Sequence, residues 1–227
     1  MNRQNFAMFG LVGLLLCSQA AGPTLAALDA VPLYEPVDIG QIIRDTQPNA
    51  STVSVAALNE DGHTVGFAVV DSVYRAFVFT EAHGVAWLPG IAGYTYHKAA
   101  DISNPDARGV VRIAGSALPS TGSPPGGAVM WLYDTIAGNV LETIDVGILP
   151  GYTSSSLAGV NNQGIAIGRC VGGSSVPFTL GMVFDEGTRT IHPVDLPFAP
   201  VGINDSNQVA GGTFHADLAP AAGAGRS

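Results

Sequence analysis

Three tyrosines, Tyr94, Tyr96 and Tyr152, fall in two short Pro/Gly-flanked stretches, beside His97 in one and Thr153, Ser154 and Ser155 in the other. Tyrosine offers a flat apolar face with a polar tip, a combination that suits sugars or peptide surfaces. Tyr94, Tyr96, His97, Tyr152 and Ser154 are therefore the candidate ligand-binding residues, with Gln47 and Asn49 in a third, earlier stretch. The competing reading is that these rings pack between structural units. His97 and Asp101 are a second candidate pairing, an acid and a base four residues apart, as a secreted polysaccharide hydrolase or lyase would use. Both ideas need an architecture that brings loops together.

Stronger chemical signatures are missing. The sequence has no G-x-S-x-G elbow, no H-E-x-x-H, no C-x-x-C and no G-x-x-x-x-G-K phosphate loop. The acidic pairs Glu60-Asp61 and Asp185-Glu186 lie in turn-like segments and lack the spaced oxygen ligands of a calcium loop. They are expected to be solvated turn residues. His63, His83, His192 and His215 are scattered and read as strand or turn residues. No catalytic residue, metal ligand or cofactor is assigned. Eighteen acidic against nine basic residues make nucleic acid and anionic membrane surfaces poor partners, which leaves the glycan or protein surface that the tyrosines suit.

The first 26 residues have the layout of a signal peptide. Arg3 supplies the positive start, Phe6 to Cys17 the apolar block, and Ser18, Ala20, Thr24 and Ala26 the small residues near cleavage. The block is too short to span a membrane, which needs about 20 apolar residues, and no later run is long enough either. Export to the periplasm or the exterior is expected. Cleavage would remove Cys17 and leave Cys170 alone, read as a small buried apolar residue in a strand.

A repeat organises the remainder. Four segments share an apolar residue, an Asn-rich turn, an apolar strand and a glycine: Leu58–Gly66, Ile102–Gly115, Val160–Gly168 and Ile203–Gly211. Taking Asn59, Asn104, Asn161 and Asn204 as equivalents gives spacings of 45, 57 and 43 residues. Asn at the start of the turn can bond the backbone two residues on, so each copy reads as a hairpin. Two further strands follow, at 75–79 and 84–88, at 128–132 and 140–144, and at 180–184 and 190–194. Four short strands in about 45 residues is the period of a propeller blade. The expected fold is all-β: a β-propeller-like repeat of four-stranded units over residues 27–214, about four blades, with a tail at 215–227 lacking strand pattern. The composition agrees, since 29 glycines and 15 prolines punctuate a chain that is 47% hydrophobic and only 12% charged. Helix signals are almost absent, and Gln41–Arg44 looks too short to matter.

The Asn-turn-Gly unit, Arg75-Ala76-Phe77, the Asp145–Gly151 stretch and the Ser156–Asn161 lead-in resemble the HAF-repeat family of bacterial extracellular proteins. The naming triplet appears here as Arg75-Ala76-Phe77 and Gly127-Ala128-Val129, and His215-Ala216-Asp217 comes too early to align. The resemblance implies export and a repetitive β architecture, and transfers no site residue. The functional expectation is an exported, non-enzymatic binding or structural module. Four units are the lower limit for a closed propeller. A composite blade could form if Val37–Gly40 were a strand joining the C-terminal hairpin, but the chain ends favour an open or truncated arc, whose bare sheet edges invite self-association.

Overall fold

The computed structural model describes residues 36–119, 126–172, 179–194 and 199–212. The expected signal peptide, most of the Pro/Gly insertion at 119–126 and the 215–227 tail lie outside them. Among the described residues the fold is all-β with one short helix. Three four-stranded antiparallel sheets follow one another along the chain, each a simple meander in chain order. Sheet 1 holds β1 (Ala50–Leu58), β2 (Thr64–Val70), β3 (Val73–Thr80) and β4 (Gly84–Trp87). Sheet 2 holds β5 (Tyr96–Ile102), β6 (Val110–Leu118), β7 (Gly127–Asp134) and β8 (Asn139–Gly147). Sheet 3 holds β9 (Ser154–Val160), β10 (Ile165–Val171), β11 (Thr179–Asp185) and β12 (Thr190–Val194). Sheet 4 is the hairpin of β13 (Ala199–Ile203) and β14 (Val209–Gly212). The strands read from the repeat are all present, and each Asn-rich turn joins a hairpin.

Two features recur in every first strand. A bulge interrupts β1, β5, β9 and β13 at the same place, between Val55 and Ala57, Ala99 and Asp101, Leu157 and Gly159, and Pro200 and Gly202. The extra residue reverses the alternation of faces, so apolar residues three apart, such as Ala99 and Ile102, point the same way. Opposite the bulge stands the glycine of the repeat. A Cβ on Gly66, Gly115 or Gly168 would overlap the carbonyl of Ser54, Lys98 or Ser156. The glycine is required by close backbone approach, not by a left-handed backbone.

The core lies between successive sheets. Val65, Ala76 and Val78 of sheet 1 pack against Ala99, Ile102, Ile113, Val129 and Trp131 of sheet 2. Ala114, Ala128, Met130 and Ile144 of sheet 2 pack in turn on Leu157, Val160, Met182 and Phe184 of sheet 3. Cys170 is buried in this second layer, 3.5 Å from the Met182 sulfur, and burial raises its thiol pKa. Its neighbour Arg169 is exposed on the opposite face.

The helix is a correction. Residues Ile39–Thr46 form α1, so the strand reading of Val37–Gly40, and with it the composite blade, is lost. Asp38 caps it, its carboxylate accepting from the Gln41 amide at 2.8 Å, and Ile39 and Ile43, one turn apart, are buried. They cover one end of the outer face of sheet 1, packing with Ala50, Ala68, Val70 and Phe77.

The turns are tied to one another. Three of the four begin with an asparagine whose side-chain oxygen takes two backbone amides of its own turn: Asn59 those of Asp61 and His63, Asn161 those of Gln163 and Ile165, Asn204 those of Ser206 and Gln208. In the second copy Ser103 occupies this position, its hydroxyl accepting from the Arg112 amide. Asn104 is therefore the second turn residue, and the one-residue shift corrects the sequence alignment. Rungs then pass from sheet to sheet. Asn59 Nδ2 donates to the Ser103 carbonyl at 2.9 Å, 44 residues on, and Asn161 Nδ2 to the Asn204 carbonyl at 3.2 Å, 43 residues on. The second turn residues form a parallel series: the Glu60 amide donates to Asn104 Oδ1 (3.0 Å), the Asn104 amide to Asn162 Oδ1 (2.7 Å) and the Asn162 amide to Asp205 Oδ1 (2.8 Å).

Asn161 is buried and makes four such bonds, the other donor contact being to Asn207 Oδ1 at 2.8 Å. Replacing it with Ala strands two turn amides and the Asn207 side-chain oxygen, so Asn161→Ala is expected to cost about 2–4 kcal/mol in denaturant unfolding. Asn161→Asp keeps the acceptor and loses the donors, and its cost should fall between those of wild type and Ala.

Candidate functional site

The loops preceding β5 and β9 are built alike. The Tyr94 amide donates to the Ile91 carbonyl and the Thr95 amide to Leu118; the Tyr152 amide donates to Leu149 and the Thr153 amide to Val171. Tyr94 and Tyr152 are thus equivalent, as are Tyr96 and Ser154, and His97 and Ser155. The strand directions bring both loops to the end of the sheets opposite the Asn turns.

Their side chains are mostly occupied by structure. Tyr94 packs against the sheet 1–sheet 2 core and Tyr152 against the sheet 2–sheet 3 core, the role of the competing reading. Tyr96 meets Tyr74 edge-on, with ring centres 5.3 Å apart. Ser154 Oγ donates to the Val171 carbonyl at 3.3 Å. Beside Tyr96, the Lys98 ammonium of sheet 2 sits 4.4 Å from the ring centre of Tyr74 and 4.7 Å from that of Phe67, both in sheet 1. Such a clamp contributes roughly 0.5–2 kcal/mol. Nothing in local spacing marks it, because its three members come from β2, β3 and β5.

His97 is buried, and its Nε2 accepts the Ile91 amide at 3.1 Å, holding the β4–β5 loop. The Trp131 indole anchors the same loop through the Pro89 carbonyl at 2.8 Å. Burial pushes the His97 pKa below its ordinary value. Asp101 lies at the other end of β5 and, beyond the bulge, on the other face. Its carboxylate accepts the Val160 amide at 2.9 Å, and burial raises its pKa. The two line different cavities and do not converge, which leaves the polysaccharide-cleaving reading without its acid–base pair.

What this end of the sheets offers instead is a cavity of about 350 Å³ between sheets 1 and 2, lined by Tyr74, Arg75, Trp87, Leu88, Thr95 and His97. Arg75 is exposed and forms no ion pair among the described residues. Only His97 of this group was singled out from sequence. Arg75 and Trp87 sit in ordinary strand patterns, and only the pairing of β3 with β4 brings them together. A second depression, of about 280 Å³, is ringed by the Asn turns of all four sheets and by Asp101. Among the described residues, no three His, Cys, Asp or Glu side chains gather to hold a metal ion, and no helix is long and apolar enough to cross a membrane.

Glu60 and Asp61 are exposed in their turn, as expected, but the second acidic pair departs from that expectation. Asp185 does cap its own turn, accepting from Gly187 and Thr188. Glu186, however, reaches sheet 2, where its carboxylate meets Arg112 Nε at 3.0 Å with both side chains largely buried. No family model matches the chain, and no curated protein matches it in sequence.

The histidines set a pH dependence. His97 accepts a backbone hydrogen bond only when Nε2 is unprotonated, and burial lowers its pKa. His63 is lowered too, its burial outweighing Asp61. The unfolded chain therefore binds protons more readily than the folded one: stability is complete above pH 6.5 and declines as pH falls through the lowered values. Each histidine contributes a slope of at most about 1.4 kcal/mol per pH unit. Denaturant unfolding from pH 7.5 to 5 should show this decline, and His97→Gln should flatten it.

Proposed function

We propose that the protein is an exported, non-enzymatic binding module of HAF-repeat-like kind, with its sheets arranged as a propeller-like arc, and that the cavity between sheets 1 and 2 takes acidic glycans. The meandering four-stranded units, and the common depression ringed by equivalent turns, support the arc. The observation that carries the ligand class is the unpaired Arg75 beside Trp87 and Tyr74. Aromatic faces accommodate the apolar face of a sugar ring, and a free guanidinium donates two parallel hydrogen bonds to a carboxylate. The cavity volume falls in the ordinary range for small-ligand sites, about 300–1,000 Å³. The chain's overall negative charge repels an acidic ligand at a distance, but screening confines that repulsion to about 8 Å at physiological salt.

A glycan array containing neutral and uronate-bearing oligosaccharides tests the reading. Binding is expected on the uronate-bearing members, with Arg75→Gln weakening it at least about tenfold, the loss of one charge-assisted contact. Thermal melting should stay unchanged, because Arg75 is exposed. Equal binding by wild type and Arg75→Gln, or no glycan bound at all, would defeat it.

A further inference from the structure

The two ends of the stack of sheets are complementary to each other. Val55 and Leu58 of sheet 1 correspond to Ala99 and Ile102 of sheet 2 and to Leu157 and Val160 of sheet 3, as the register opposite Gly66, Gly115 and Gly168 shows. In sheets 2 and 3 these positions press into the preceding sheet and are only 3%, 6%, 2% and 4% exposed. In sheet 1 they are 51% and 66% exposed, because α1 covers the Ala50–Val70 end of that face and stops short of them. At the other end, Ala210 of sheet 4 corresponds to Val65, Ala114 and Ile167, buried in their own sheets, yet it is exposed.

The hydrogen-bond series between turns ends in the same sense. At every junction the second turn residue of one sheet donates its amide to a side-chain oxygen of the second turn residue of the next. Among the described residues the last amide, that of Asp205, has no acceptor, and the first side-chain oxygen, that of Glu60, has no donor. One end lacks an acceptor and a plug; the other presents both. Both turns line the one common depression, but no substantial packing joins sheet 4 to sheet 1 among the described residues.

We infer that a second copy of this chain docks head to tail, its sheet 1 placing Val55 and Leu58 on sheet 4 of the first and its Glu60 carboxylate accepting the Asp205 amide. The junction repeats the geometry by which sheets 2, 3 and 4 already follow their predecessors. A two-stranded sheet need cover only the β1–β2 half of the outer face, the half that bears Val55 and Leu58. The contact is heterologous, so each docked copy leaves a free end, and copies add until a ring closes or a filament grows. This inference is independent of glycan binding in the cavity, and its experiment has no glycan in it.

Sedimentation of the full chain should show concentration-dependent species larger than a dimer. Val55→Asp with Leu58→Asp blocks one end and Ala210→Lys the other, and each variant alone should remain monomeric. Mixed in equal amounts, they should form a 1:1 dimer and nothing larger, because one intact junction remains. Glu60→Ala should weaken association about tenfold, and Glu60→Gln, which keeps an acceptor, should restore most of it. All the substituted positions are exposed, and circular dichroism melting checks that each variant folds. A wild-type chain that stays monomeric at all concentrations, or a mixture that stays monomeric while wild type associates, would overturn the inference.

Discussion

The turns between the first two strands of each sheet crowd together at one end of the molecule, and their backbone amides and carbonyls must be satisfied there without a continuous sheet to do it. A side chain with both a donor and an acceptor solves the problem in both directions. The Asn161 oxygen closes its own turn while its nitrogen satisfies the next one, and Asn59 does the same. Aspartate could close a turn but could not donate forward, and serine, as at position 103, spends its proton on the Asn104 carbonyl. Asparagine is thus the residue that lets one repeat specify the position of the next.

That constraint reaches the core through the bulge. For the turns to stack, the first strands must approach the preceding sheet at their Asn ends, and the bulge rotates Ile102 and Val160 toward that sheet while the repeat glycine admits the backbone. Hydrophobic burial between sheets and hydrogen bonding between turns are then two readings of one displacement. The Arg112–Glu186 pair adds a third tie across the same junction, beside the turns of sheets 2 and 3.

The repeat made the strands legible because each signal was local: alternating apolar residues, an Asn turn and a glycine within 9 to 14 residues. Features that depend on partners distant in sequence were not. Ser103 looked like a preceding residue because Asn104 matched the expected type, and only the Arg112 amide on its hydroxyl shows which residue opens the turn. Helix α1 escaped notice because its two buried isoleucines make a pattern only against the face of sheet 1 that they cover. The loops before β5 and β9 were placed correctly as equivalents, but their tyrosines face inward, while Arg75 and Trp87 come together through strand pairing that no spacing rule reveals.

A repeat whose units are bound chiefly to their neighbours distributes stability unevenly, since an end unit has one interface where an internal unit has two. Sheet 1 offsets this with α1, whose Ile39 and Ile43 are buried while Gln41, Arg44 and Asp45 remain exposed, the polarity of a cap. Sheet 4 has no such cover among the described residues. Its inner face rests on sheet 3 through Gly202, which lies against Gly159, and its outer face presents Ala210 and Gly212. Small residues bury little area, so this hairpin gains the least from packing and relies most on its turn, where Asp205 takes two hydrogen bonds from Asn162. The weakest sheet of the stack is therefore held mainly by polar bonds to its predecessor.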